Sequence, residues 1–127
     1  MIANRIRDFA FCTAFVIFCF VTPAIAAQFY GNWSMVAVTT SGHCGRVPIA
    51  LGISHGRIYS AGGSSFAGHP IELVGRVSAS GQVQINAVAG PRGAHGTGRF
   101  NRLQGGGTWA GTGPSGVCSD VWSASRS

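Results

Sequence analysis

Lysine is absent from this chain and carboxylates nearly so: all nine basic residues are arginine, against three acids. Beyond residue 26 the only acids are Glu72 and Asp120. Hydrolysis by paired carboxylates needs two acids in one site, so this composition leaves little material for it. Helical periodicity is also missing after residue 26: apolar residues do not recur at i, i+3, i+4 and i+7 over a useful length. Without a helix no N-terminus can cradle a phosphate, and no crossover can join parallel strands. C-x-x-C, H-x-H and H-x₃-H pairs are lacking, which argues against a metal site. No nucleophile elbow accompanies the serines, and a hydroxyl without a positioned base is a poor nucleophile.

The one long apolar run is at the start. Arg5 and Arg7 precede an apolar core from Phe9 to Val21, and Pro23-Ala24-Ile25-Ala26 ends in small residues. This is the pattern of a secretory signal peptide over residues 1–26, cut before Ala27. A spanning helix needs about 20 apolar residues, and this run is shorter and broken by Thr22-Pro23. Cleavage removes Cys12 and Cys19 and leaves no anchor. The expectation is a periplasmic or secreted single domain, residues 27–127, in an oxidising compartment. Its two remaining cysteines, Cys44 and Cys118, are predicted to form one disulfide. Closing a loop of roughly 75 residues stabilises by about 4 kcal/mol at most on chain entropy.

All 20 glycines follow the leader, spread between short apolar runs without a G-x-y period. Apolar residues alternate instead. Val47, Ile49, Leu51 and Ile53 share one face, and so do Val83, Ile85 and Ala87. Pro48 assigns its strand to an edge or a bulge. Gly75 suggests a bulge in the strand from Ile71 to Ala79. Ser54-His55-Gly56, Ser80-Gly81, Gly90-Pro91-Arg92-Gly93, Gln104 to Gly107 and Gly113 to Gly116 read as turns. Gly96 to Leu103 reads as a glycine-weakened strand. The prediction is all-β, with no helix after residue 27: an antiparallel meander of about eight strands closed into a barrel or roll, because closure removes exposed edges.

Trp33, Trp109 and Trp122 either plug the barrel or stack on a ligand inside it. His43, His55, His69 and His95 sit beside glycine or in turns; they could meet at a metal only if their loops gathered at one end. Seven arginines against two acids give residues 27–127 a net charge of +5. They are scattered in sequence, as a solubilising charge would be, and Arg57, Arg76, Arg99 and Arg102 are the candidates for contacting an anion. Surface aromatics are too sparse for an RNA-binding sheet, so no specific nucleic-acid partner is expected.

Gly31-Asn32-Trp33, Cys44, Gly75-Arg76-Val77, Gly96-Thr97-Gly98-Arg99, Gly107-Thr108-Trp109 and the closing Cys118-Ser119-Asp120-Val121-Trp122-Ser123-Ala124-Ser125-Arg126 form a pattern. It resembles a family of small exported alphaproteobacterial proteins without an assigned activity. The resemblance spans the exported chain and implies no site residues; Asp120-Val121 departs from it, since a glycine before the tryptophan is more usual. A looser likeness to streptavidin-type barrels, through Gly-Xaa-Trp and a closing Trp-bearing strand, concerns architecture alone. The expected function is an exported, non-catalytic domain that binds an anionic polysaccharide or envelope surface, without cofactor. The alternatives are a small-ligand barrel and a protease inhibitor or enzyme.

Overall fold

The computed structural model describes residues 26–127 apart from Ser115. The expected signal peptide lies outside the described residues but for its last position, and so do Cys12 and Cys19. Ten strands follow one short turn of 3-10 helix, Ala26–Phe29. They are β1 (Gly31–Val38), β2 (Arg46–Ser54), β3 (Arg57–Ser60), β4 (Ser65–Phe66), β5 (His69–Pro70), β6 (Glu72–Val77), β7 (Gln82–Ala89), β8 (Arg92–Phe100), β9 (Gln104–Gly113) and β10 (Gly116–Arg126). Eight of them close an antiparallel barrel in the order β1-β10-β9-β8-β7-β6-β3-β2. The other two, β4 and β5, pair as a separate hairpin. Among the described residues the 3-10 turn is the one helical element where none was expected, and it is too short to carry a periodic face.

Alternation puts Trp33, Met35, Ile49, Leu51, Ile53, Leu73, Val77, Val83, Ile85, Phe100 and Trp122 inside, all buried. Burying one such side chain stabilises by about 1.5–3 kcal/mol, and a slip of one residue would turn the whole set outward. The hairpins hold that register. His55 (φ 54°) and Gly56 (φ 76°) both take left-handed backbone between β2 and β3, as a type I′ turn requires. Ala67 (φ 52°) and Gly68 (φ 82°) repeat the device between β4 and β5.

Three local expectations need correction. Gly75 is not a bulge: the register runs through it, opposite Ile58 on one side and Ile85 on the other. A Cβ there would lie 2.7 Å from Ile85 Cγ2, so close packing accounts for the glycine. Nor is Gln104 to Gly107 a turn, since all four residues belong to β9. β8 already ends at Phe100, short of the expected Leu103. The turn is made by Asn101, whose Oδ1 accepts bonds from the backbone N–H of Leu103 (2.9 Å) and Gln104 (2.8 Å). That asparagine substitutes its side chain for a backbone turn, a feature easily missed beside three glycines.

Pro48 does sit at an edge of a kind. β2 pairs with β1 from Arg46 to Ile53, but β3 reaches only Leu51 to Ser54. Beyond β3 a loop covers β2: Ala61 N–H donates to Ala50 O (2.8 Å) and Ala50 N–H to Ser64 Oγ (3.2 Å). A residue without an N–H is tolerated where no strand needs it. The β1–β10 seam is similarly short. β1 pairs only with Trp122 to Arg126, whereas β9 follows β10 from Gly116 to Ser125. Ser41 and Ser119 bridge the gap, and the Cys44–Cys118 disulfide staples it with Cα atoms 6.1 Å apart.

Candidate functional site

The barrel has two unlike ends. At one, the plugged end, Trp33 stacks on Phe100 (centroids 4.6 Å, planes 8° apart) and Trp122 meets the same ring edge-on at 5.8 Å. Phe29 from the 3-10 turn joins them at 6.1 Å from Phe100. Both buried indoles satisfy their N–H on backbone oxygens, Trp33 on Phe29 (2.9 Å) and Trp122 on Thr97 (3.1 Å). Glycines make room for them: a Cβ on Gly98 would fall 2.5 Å from Trp122 Cζ2, and one on Gly105 would overlap the Phe100 ring. Arg126 closes this end, its guanidinium 4.8 Å from the centre of the Trp33 ring. It donates to the carbonyls of Tyr30, Gln28 (2.6 Å) and Arg102 (3.0 Å).

The rim of the plugged end is basic. A meander returns to the same end every second turn, so residues far apart in sequence gather there. Arg57 opens β3, Arg76 and Arg99 each lie one residue from the end of β6 and β8, Arg102 is in the β8–β9 turn, and Arg126 ends β10. Five of the seven arginines of residues 27–127 thus share one end. Glu72 opens β6 at the other end, and Asp120 lies in the half of β10 nearer that end. Arg57 and Arg76 are both exposed and stand directly opposite one another across β3 and β6. Like charges in such a pair are destabilising by a few tenths of a kcal/mol up to about 1.

Around that pair the groove is polar. His55, Ser78, Gln82 and Gln84 line it with Arg57 and Arg76, and no carboxylate does. Gln84 is the register partner of Arg76, and Gln82 that of Arg99. Two residues along the same outer face, Tyr59 stands opposite Val74, 46% and 61% exposed respectively. Asn86 follows beside Val74. Cations, neutral amides and one exposed phenol ring are therefore contiguous.

The other end, stapled by the disulfide, is hollow. Inward positions there carry Ala37, Ala87, Ala94, Gly96 and Gly111, and a space of about 90 Å³ remains. It continues inward as a second space of about 50 Å³, with which it shares Ala37, Ile49, Ala87, Ala94 and Trp109, reaching as far as Trp122. Phe66 from the β4–β5 hairpin and Arg92 from the start of β8 stand at the mouth, with the guanidinium 5.5 Å from the ring centre. Arg92 Nη2 donates to Gly116 O (3.2 Å) and touches both disulfide sulfurs, at 3.4 and 3.6 Å.

The three tryptophans do not form one site. Trp33 and Trp122 are core, Trp122 also lining the far end of the inner space, whereas Trp109 is half-buried, bonds Val38 O (3.1 Å) and lines both spaces of the hollow. Arg57, Arg76, Arg99 and Arg102 do come to one rim. His55 lies at the plugged end, His43 and His69 at the disulfide end, and His95 in the wall of β8. Among the described residues no cluster of His, Cys, Asp or Glu could hold a metal ion, and no helix is long and apolar enough to cross a membrane. Gln82, Gln84, Phe66 and Arg92 carry no motif in the sequence; topology alone brings them to their sites. No protein-family model and no curated protein sequence matches this chain.

Proposed function

We propose that the protein is an exported, non-catalytic binding domain that holds an anionic polysaccharide against the arginine rim of its plugged end. The observation that carries this reading is the collection of five arginines at one end, around a groove without a carboxylate. The Arg57–Arg76 pair is unfavourable for the free protein. An acidic group shared between the two guanidinium forks turns that cost into a bidentate, charge-assisted contact. Gln82, Gln84 and Asn86 beside them suit sugar hydroxyls, and Tyr59 offers an apolar ring face. One exposed aromatic is fewer than a base-stacking nucleic-acid platform uses. The disulfide fits an oxidising compartment, periplasmic or extracellular.

Nuclear magnetic resonance with a short heparin oligosaccharide tests the reading. Amide shifts are expected in β3, β6 and the start of β7, and they should vanish as salt screens the attraction over about 10 Å at 0.1 M. Shifts confined to the disulfide end, or none at low salt, would refute it.

A further inference from the structure

We propose that the hollow at the disulfide end is a ligand site for the aliphatic tail of a small carboxylate, with Arg92 receiving the head group. This does not depend on the polysaccharide reading, because the two sites lie at opposite ends of the barrel.

Shape selects the tail. The outer space measures about 90 Å³ and the inner one about 50 Å³, and they adjoin along Ala37, Ala87 and Ala94. Pockets for drug-sized molecules run to about 300–1,000 Å³, so a sterol or a large cofactor is excluded. A cavity of about 150 Å³ holds one benzene ring. The outer space is smaller than that and runs on into the inner one, and two small adjoining spaces suit a chain of methylenes better than a ring. Its wall supports this: apart from Arg92 and backbone, the outer space is lined by alanines, branched aliphatics, the Cys44 sulfur and the rings of Phe66 and Trp109. Ala37, Ala87 and Ala94 point inward yet are only half-buried, so the column opens to solvent.

Charge selects the head. Arg92 is the only charged lining residue among those described, and it stands at the mouth rather than the floor. Phe66 beneath it and the contacts to Gly116 O and the disulfide sulfurs fix the guanidinium over the opening. A chain seated against Trp109 would leave its carboxylate level with that guanidinium. Trp33 has no such role, since it is consumed by the plug, whereas Trp122 lines the far end of the inner space.

Titration calorimetry with octanoate, octanol and octylamine tests this, alongside methyl and indole resonances. Octanoate should saturate one site, moving the methyls of Ala37, Ala87 and Ala94 and the Trp109 indole while leaving the Trp33 indole in place. Octylamine should bind about tenfold more weakly or worse, because a charge-assisted contact is lost and a repulsion gained. Arg92→Gln should weaken octanoate by about tenfold and octanol by less than about twofold. Ala94→Leu should abolish binding of all three by filling the column; if it fails to fold, Ala87→Val is read in its place. The proposal is overturned by absence of saturable octanoate binding, by undiminished binding to the filled variant, or by octylamine binding as tightly as octanoate. A dimer that octanoate dissociates would assign the hollow to a second copy of the chain and overturn it equally.

Discussion

The two ends of this barrel solve one packing problem in opposite ways. Both are inward-facing rings of the same eight strands, and both set an arginine over an aromatic ring. At the plugged end the side chains are large and the backbone gives way: Trp33, Phe100 and Trp122 fill the lumen, and Gly98 and Gly105 vacate it. At the disulfide end the side chains are small, a hollow remains, and a covalent bond supplies what packing does not. Glycine and alanine, which look alike in a small-residue-rich sequence, do different things here. A glycine beneath a ring is occupied space; an alanine beside a hollow is vacant space.

Emptying the plug should have the largest effect. Trp33→Ala removes a side chain that is 1% exposed, and denaturant unfolding should show a loss of about 3–5 kcal/mol. Phe66→Ala at the other end, half-buried, should cost under about 1 kcal/mol, as exposed or partly exposed sites do. Next in size is the staple. Replacing both Cys44 and Cys118 by alanine should lower stability by about 2–4 kcal/mol, with amide exchange accelerating first in loop 39–45 and the start of β10. An equal effect at both ends would mean that the seam does not depend on the bridge.

Adding volume should then have opposite signs. Gly98→Ala forces a methyl against Trp122 and should cost about 1–3 kcal/mol. Ala94→Leu enters the hollow and should stabilise by about 1 kcal/mol, as cavity filling commonly does. Thermal unfolding of the two variants side by side reads the contrast. The smallest effect is expected at Ala67, whose left-handed φ of 52° strains any residue with a Cβ. Ala67→Gly should raise stability by under about 1 kcal/mol, the relieved strain outweighing the unfolded-state entropy that glycine adds.

Much of this architecture can be read from the sequence. Period-two alternation in Val47 to Ile53 and Val83 to Ala87 fixes which faces are buried, and turn chemistry fixes most of the hairpins. The disulfide follows from two cysteines bracketing the strands, and their Cα atoms lie 6.1 Å apart. What sequence cannot show is convergence. Arg57, Arg76, Arg99, Arg102 and Arg126 read as scattered charge because 69 residues separate the first from the last; only an antiparallel meander puts them at one end. The hollow is hidden for the same reason, since Ala37, Ala87 and Ala94 come from three strands. Glycine misleads locally: Gly105 to Gly107 resemble a turn and are instead strand, where a Cβ would strike the Phe100 ring at Gly105 and the backbone of Thr97 and Gly98 at Gly107.

The charge asymmetry between the ends is the claim on which the proposed function stands, and one charge-matched measurement addresses it. Arg76→Gln at the plugged rim and Arg46→Gln at the disulfide end each remove one exposed positive charge. Both are run on immobilised heparin in a salt gradient beside the wild type. Arg76→Gln should elute at clearly lower salt while Arg46→Gln elutes with the wild type. Equal shifts for the two variants would show that net charge alone governs retention, and would contradict a binding rim at the plugged end.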